Sequence, residues 1–244
     1  MTFSFIDQEL KKQALIGMIR AVPIILGYLP IGLAFGILAS TAGLSTTAAA
    51  AMSVFVFAGS SQLISVGLIG AGVGVFSITV TVFLVNLRHM LMSAYLAPHM
   101  RKLKLWQLVL FSYEITDESF AMHSAYIRKK GVPPVAELFA LNISAHLAWV
   151  AGSVLGAWLG SSITLDIAAL GIDFALPAMF IALLVMQFES YRHLAVSVFS
   201  ALMGLLLYLA GMNQLYIILA TVTAATVGVL TERKSNQVEE DKLV

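Results

Sequence analysis

Residues 47–98 read TAAAAMSVFVFAGSSQLISVGLIGAGVGVFSITVTVFLVNLRHMLMSAYLAP. This stretch holds two apolar runs, and polar residues interrupt each of them. The first interruption, Gly59-Ser60-Ser61-Gln62, falls near the middle of the run 47–69. The second, Asn86-Leu87-Arg88-His89, lies inside the run 73–96. About 20 apolar residues span a bilayer as a helix, and hydrocarbon offers exposed backbone groups no partner. Small and amide residues at 59–62 weaken a helix and free backbone groups there. Two readings stay open: a packing notch with hydroxyls bonded one turn back, or a broken helix whose ends bind a ligand. An ionisable residue at that depth, here Arg88, is a candidate functional group that needs a named partner.

The rest of the chain is similarly apolar. Of its 244 residues, 59% are hydrophobic and 11% charged, against roughly 25% charged in soluble domains, and the mean hydropathy is +0.92. The composition predicts an all-α, polytopic integral membrane helix bundle. About seven to eight hydrophobic segments are expected, some broken or re-entrant, near residues 14–39, 47–69, 73–96, 105–126, 135–159, 174–188, 194–210 and 215–230. Residues 1–13 are expected to form a cytoplasmic N-terminal segment, 14–230 a single transmembrane transport domain, and 231–244 a disordered cytoplasmic tail. Asp7 and Glu9 precede Lys11 and Lys12, unlike the basic-then-apolar order of a cleaved signal. A net charge of +1 gives no footprint for nucleic acid. The chain has no cysteine, so thiol chemistry, disulfides and cysteine metal sites are excluded.

Pro23 and Pro30 predict kinks in the first segment. Gly32 and Gly36 there, and Gly152 and Gly156 in 135–159, are small-xxx-small pairs suited to close helix packing. Their likeness hints at an internal duplication. Segment 105–126 is the least hydrophobic. Its Glu114, Asp117 and Glu118 are spaced to share one face of a continuous helix. Such carboxylates face water on an interfacial helix, or they face a cation within a spanning or re-entrant segment. The second reading is preferred, because Arg88 needs a counter-charge from Asp117 or Glu118. Asn142 and His146 stand one turn apart, and His146 is read as hydrogen-bonded filler.

Basic residues set orientation. Lys11, Lys12 and Arg20 place the N-terminus in the cytoplasm, as do Arg128–Lys130, Arg192 and Arg233-Lys234 if all eight segments cross. Arg101, Lys102 and Lys104 then fall on the wrong side. The conflict disappears if neither 47–69 nor 105–126 crosses fully. Both arrangements leave both termini cytoplasmic.

Taken together, Gly27-Tyr28-Leu29-Pro30-Ile31-Gly32, Phe57-Ala58-Gly59-Ser60-Ser61-Gln62, Asn86-Leu87-Arg88-His89 with Leu91, Met92 and Ser93, and Thr116-Asp117-Glu118 resemble the AzlC family over nearly the whole chain. The Asn-Leu-Arg-His run is the most specific of these motifs. The resemblance implies a bacterial inner-membrane exporter of branched-chain amino acids, L-valine most typically and L-methionine in some cases. It also implies a small AzlD-like (YgaH-like) membrane subunit as partner.

A zwitterionic substrate needs donors for its carboxylate and acceptors for its ammonium. The expected substrate-binding residues are Gly59, Ser60, Ser61, Gln62, Asn86 and Arg88. Free N–H groups of a broken helix compete with Arg88 for the carboxylate. His89, Asp117 and Glu118 are the proton-coupling or ion-pair candidates, since burial can bring a carboxylate's titration toward neutral pH. No Gly-x-x-x-x-Gly-Lys run is present, so proton antiport is the economical energy source. No cofactor, metal or enzymatic activity is expected. Three rivals stand beside this reading. Ser60 or Ser61 with His89 or His146 suggests an intramembrane hydrolase, although Gly-x-Ser-x-Gly is missing. Glu114, Asp117, Glu118 and His123 suggest a metal-ion transporter. A purely structural subunit is the third.

Overall fold

A computed structural model describes residues 2–163, 191–211 and most of 219–229, with single positions between 169 and 185; side chains are described from residue 8 onward, those of 192 and 193 excepted. The described chain is helical. Its elements are α1 (Thr2–Thr41), α2 (Thr46–Phe55), α3 (Gly59–Gly70), α4 (Val75–Leu96), a short 3-10 turn (Ala97–His99), α5 (Leu105–Tyr113), α6 (Asp117–Lys130), α7 (Val135–Ser162) and α8 (Tyr191–Leu209). Two compact units divide the chain, Met1–Leu183 and Leu184–Val244.

In the first unit, three helices are long and apolar enough to cross a bilayer: Gln8–Thr41, Val75–His99 and Val135–Ser162. With 40 residues, α1 is about 60 Å long and extends past a hydrocarbon core of about 30 Å. Glu9, Lys11 and Lys12 are exposed on its first part. The helix runs on through Pro23 and Pro30 without a break.

The main seam joins α1 to α7. A Cβ on Gly32 would stand 3.0 Å from the Trp149 carbonyl, and one on Gly152 would stand 2.7 Å from the Leu29 carbonyl. One turn further, a Cβ on Gly36 or Gly156 would fall onto the Ser153 or Leu33 carbonyl of the other helix. The two backbones therefore touch, which only glycine permits. Gly17 meets Glu137 and Gly160 meets Ile37, so α1 and α7 run parallel and nearly in register. The resembling glycine pairs turn out to be each other's partners.

Two segments, 47–69 and 105–126, fold as hairpins of half-length helices, whereas 73–96, with its polar run at 86–89, forms the unbroken helix α4. The 10 residues of α2 and 12 of α3 reach about 15 and 18 Å, roughly half a bilayer. Gly70, at the far end of α3, sits beside Ala42, so the hairpin returns to the end of α1 it left. The second segment breaks at 114–116, between α5 and α6. Leu96, Met100 and Leu103 before α5 share one buried cluster with Ile127 and Leu138 after it. The turn holding Arg101, Lys102 and Lys104 thus lies toward the same end as Arg128–Lys130. Re-entry removes the charge conflict that full crossing would create. The break also corrects the shared-face reading of Glu114, Asp117 and Glu118. Glu114 caps the end of α5 while Asp117 opens α6, so no single helix carries all three.

In the second unit, Gly204 faces Ala220 and Gly228 faces Val196. That order makes the stretch 219–229 antiparallel to α8, after a turn at Gly211 with φ +78°. Most of the expected segment at 174–188, part of 215–230 and the tail 231–244 lie outside the described residues.

The seam makes a contrast testable. Gly36→Val and Gly156→Val should each cost about 1–3 kcal/mol or more, because the neighbouring atoms are backbone and cannot rotate away. Gly27, where an added Cβ meets nothing within 4 Å, serves as control. Size-exclusion profiles of detergent-solubilised protein after graded heating should show early loss for the two seam variants, with Gly27→Val close to wild type.

Candidate functional site

The two hairpin tips meet. At the first tip, Phe57 holds φ +39° and Ala58 caps α3 without a side-chain hydrogen bond. The first backbone bond inside α3 runs from the Gln62 N–H to the Ala58 carbonyl, so the N–H groups of Gly59, Ser60 and Ser61 belong to the unpaired first turn. That end carries the positive pole of the helix dipole. At the second tip, Thr116 caps α6: its hydroxyl accepts from the Ser119 N–H at 3.3 Å and its own N–H donates to the Ser119 hydroxyl at 2.8 Å. This reciprocal cap ends the α5 run and starts a new helix with Asp117 and Glu118 in its first turn.

Arg88, from the middle of α4, bridges the tips. Its Nη1 lies 2.7 Å from Asp117 Oδ2, and its Nη2 donates to the Ser60 hydroxyl. Its Nε is buried and has no partner. From α1, the Tyr28 hydroxyl bonds both Thr116 Oγ1 and Glu118 Oε2, each at 2.6 Å. From α7, Trp149 lies over Gly59, where a Cβ would approach the indole to 2.8 Å. Tyr28 meets Trp149 edge-on at 5.3 Å between centroids. These groups surround a cavity lined by Tyr28, Phe57, Gly59, Arg88, Asp117 and Trp149, together with Ala58, Ser60, His89, Thr116 and Glu118. It measures about 10 Å³, room for about one water. A charged pole, a helix N-terminus and an aromatic wall thus face one small space.

Six residues singled out in the sequence line that space: Gly59, Ser60, Arg88, His89, Asp117 and Glu118. Three others stand behind it. The Ser61 hydroxyl donates to Asn86 Oδ1 at 2.5 Å, which ties α3 to α4. Gln62 is fully buried: its Oε1 accepts from Trp149 Nε1 at 3.0 Å and its Nε2 donates to Ser53 at 3.2 Å. Tyr28, Phe57, Ala58, Thr116 and Trp149 line the cavity without having been assigned a role from the sequence. Tyr28 was visible inside the Gly27–Gly32 motif, and Trp149 sits three residues before Gly152. The residues of the metal reading turn to separate partners: Glu114 to His146, Asp117 to Arg88, Glu118 to Tyr28 and His123 to Asn142. Ser60 bonds Arg88 and Ser61 bonds Asn86; His146 is engaged by Glu114 and a backbone carbonyl.

Comparison with known proteins follows these same residues. The family model described as AzlC protein matches residues 23–163. The chain is 29% identical to the Inner membrane protein YgaZ of Escherichia coli K12 over 215 residues, 86% of each protein. It is 30% identical to the Branched-chain amino acid transport protein AzlC of Bacillus subtilis 168 over 216 residues, 86% of this chain and 81% of the relative. An uncharacterized membrane protein of Archaeoglobus fulgidus is 31% identical over 84% of this chain and 90% of its own. No solved structure matches. With a family match across more than half its length, this helical membrane protein belongs to the AzlC family.

Proposed function

We propose that this protein exports branched-chain amino acids across the bacterial inner membrane in exchange for protons. L-valine is the principal substrate and L-methionine a secondary one. The protein works with a small AzlD/YgaH-like membrane subunit, with both termini in the cytoplasm. The name of the Bacillus subtilis relative supports the substrate class. The observation that carries the mechanism is the Arg88–Asp117 pair at 2.7 Å between two helix N-termini and an aromatic wall.

That pair stands where a zwitterion would go. An arriving carboxylate exchanges Asp117 for itself on Arg88, supported by the free N–H groups of Gly59 and Ser60. The substrate ammonium takes the released Asp117, with Glu118 beside it. A branched side chain packs against Tyr28, Phe57 and Trp149. Ser61 and Asn86 hold α3 to α4, and Gln62 holds Trp149, so they act as positioning residues. A space of about 10 Å³ is too small for any amino acid, so the tips part to admit one. Alternating access of this kind, around a midplane site built from half-helices, is a common transporter design.

Transport supplies the test. Proteoliposomes holding the protein and its small subunit, loaded with labelled L-valine, should lose it faster when the outside is made acidic. Arg88→Ala and Asp117→Asn should each slow initial efflux about 30-fold or more at equal reconstituted protein, the scale of removing one partner from a buried charge pair, about 2 kcal/mol or above. Efflux indifferent to the pH gradient in wild type and Asp117→Asn alike removes proton exchange. Variants that lower only the amount of assembled complex, with transport per complex intact, favour a structural subunit. The hydrolase reading predicts covalent fluorophosphonate labelling at Ser60 or Ser61; with Ser60 facing a guanidinium rather than an imidazole, no labelling is expected.

A further inference from the structure

A second polar contact joins the hairpins, away from Arg88. His146, on α7, places Nδ1 at 3.0 and 3.1 Å from the two carboxylate oxygens of Glu114, at the break between α5 and α6. Its Nε2 lies 3.1 Å from the Ser53 carbonyl, near the end of α2. The imidazole stacks on Phe57 at 3.9 Å and 17°. Tyr113, just before Glu114, donates to the Val54 carbonyl. One ring therefore ties α7 to both hairpins and rests against the left-handed residue that lines the cavity.

The donor count of this contact is unusual. A backbone carbonyl only accepts, so Nε2 must carry a proton. An ionised carboxylate also only accepts, so Nδ1 then carries one too, and the ring is a cation. If the ring is neutral instead, the proton sits on Glu114 and points at Nδ1. Both cases place one proton between His146 and Glu114. Remove it, and a bare Nδ1 lone pair faces a carboxylate. The ring then keeps the Ser53 carbonyl and loses Glu114, or changes tautomer and loses Ser53. The contact is complete only while the proton is held.

We propose that Glu114 and His146 form a proton-binding site whose occupancy clamps the two hairpin tips together and keeps the cavity closed. This deepens the export reading, on which it rests for its purpose, by naming where the exchanged proton binds. Among the described residues, the titratable groups near the pair are two tyrosines. Tyr113 of α5 stands 6.0 Å from His146 between ring centroids. Tyr28 of α1 lies beyond Phe57, at 6.3 Å from that ring. The side chains of Glu114 and His146 are 12% and 13% exposed, so a proton can reach them. Substrate contacts and the proton then occupy different residues around the same two hairpin tips. Proton release loosens the tips for the amino acid, and proton capture closes them.

The absence of cysteine gives the test a clean background. Ala58→Cys places one thiol in the cavity wall of the full chain, reconstituted in nanodiscs. Its labelling by a water-soluble maleimide is scored against the same thiol in the detergent-unfolded chain at each pH, which cancels the reagent's own pH dependence. Relative labelling should rise about tenfold as the pH is raised from 5 to 8, a factor matching loss of one hydrogen bond. Adding Glu114→Gln should abolish the rise and hold labelling low, because the amide N–H donates to Nδ1 as the shared proton does. Adding His146→Gln should abolish it and hold labelling high. A flat wild-type profile, or a rise that survives in both variants, overturns the site. No substrate is needed, so the two readings fail separately: a normal labelling step with efflux indifferent to pH sinks proton antiport and leaves the proton site standing.

Discussion

One guanidinium sets the terms for the rest of this structure. Arg88 lies midway along a helix that is apolar at both ends, where a cation without partners is expensive. The cost is met from two sides, by Asp117 at 2.7 Å and by the Ser60 hydroxyl. Neither partner could reach it from an unbroken helix. Each sits in the first turn of a half-length helix that starts inside the membrane, and each of those helices needs its partner half to return to the surface. The interrupted segments, their re-entry and the meeting of their tips are consequences of bringing two helix N-termini to one buried charge.

The scaffold that holds the tips is the α1–α7 seam. Backbone contact through Gly32, Gly36, Gly152 and Gly156 leaves little freedom to slide, and the parallel run places Tyr28 and Trp149 side by side at one level. Tyr28 then holds the second tip through Thr116 and Glu118, while Trp149 holds the first through Gln62. His146 of α7 adds a further tie to each hairpin, through the Ser53 carbonyl and through Glu114. The polar contacts that join the tips, Arg88 to Asp117 and to Ser60, can be exchanged one at a time for contacts with a ligand. A rigid pair carrying two lightly fastened hairpins suits motion about a fixed site.

Much of this was legible in the residues, and the rest was hidden for definable reasons. The first break was signalled but misplaced: it falls at 56–58, and Gly59-Ser60-Ser61-Gln62 forms the first turn of α3. The need of Arg88 for a carboxylate followed from charge alone, and Asp117 supplies it. The second break was concealed: Glu114, Asp117 and Glu118 imitate one helical face, and the capping pair Thr116 and Ser119 looks like ordinary sequence. The misplaced basic turn at Arg101–Lys104 was the better clue, since only re-entry reconciles it with the other charges. Polarity showed that Ser61, Gln62 and Asn86 need partners, but not that they find them in one another and in Trp149, behind the cavity. Tyr28 and Trp149 gave no signal of their own, because an aromatic residue in an apolar span reads as core.

The central claim is that the substrate's two charges replace the Arg88–Asp117 pair. Calorimetric titration of the reconstituted complex with L-valine, valinol and isovalerate separates the charges directly, since each analogue lacks one. The account predicts binding of valine and at least about 100-fold weaker binding of both analogues, as expected where a site is left with an unpaired buried polar group. Valinol or isovalerate binding as tightly as valine would contradict it.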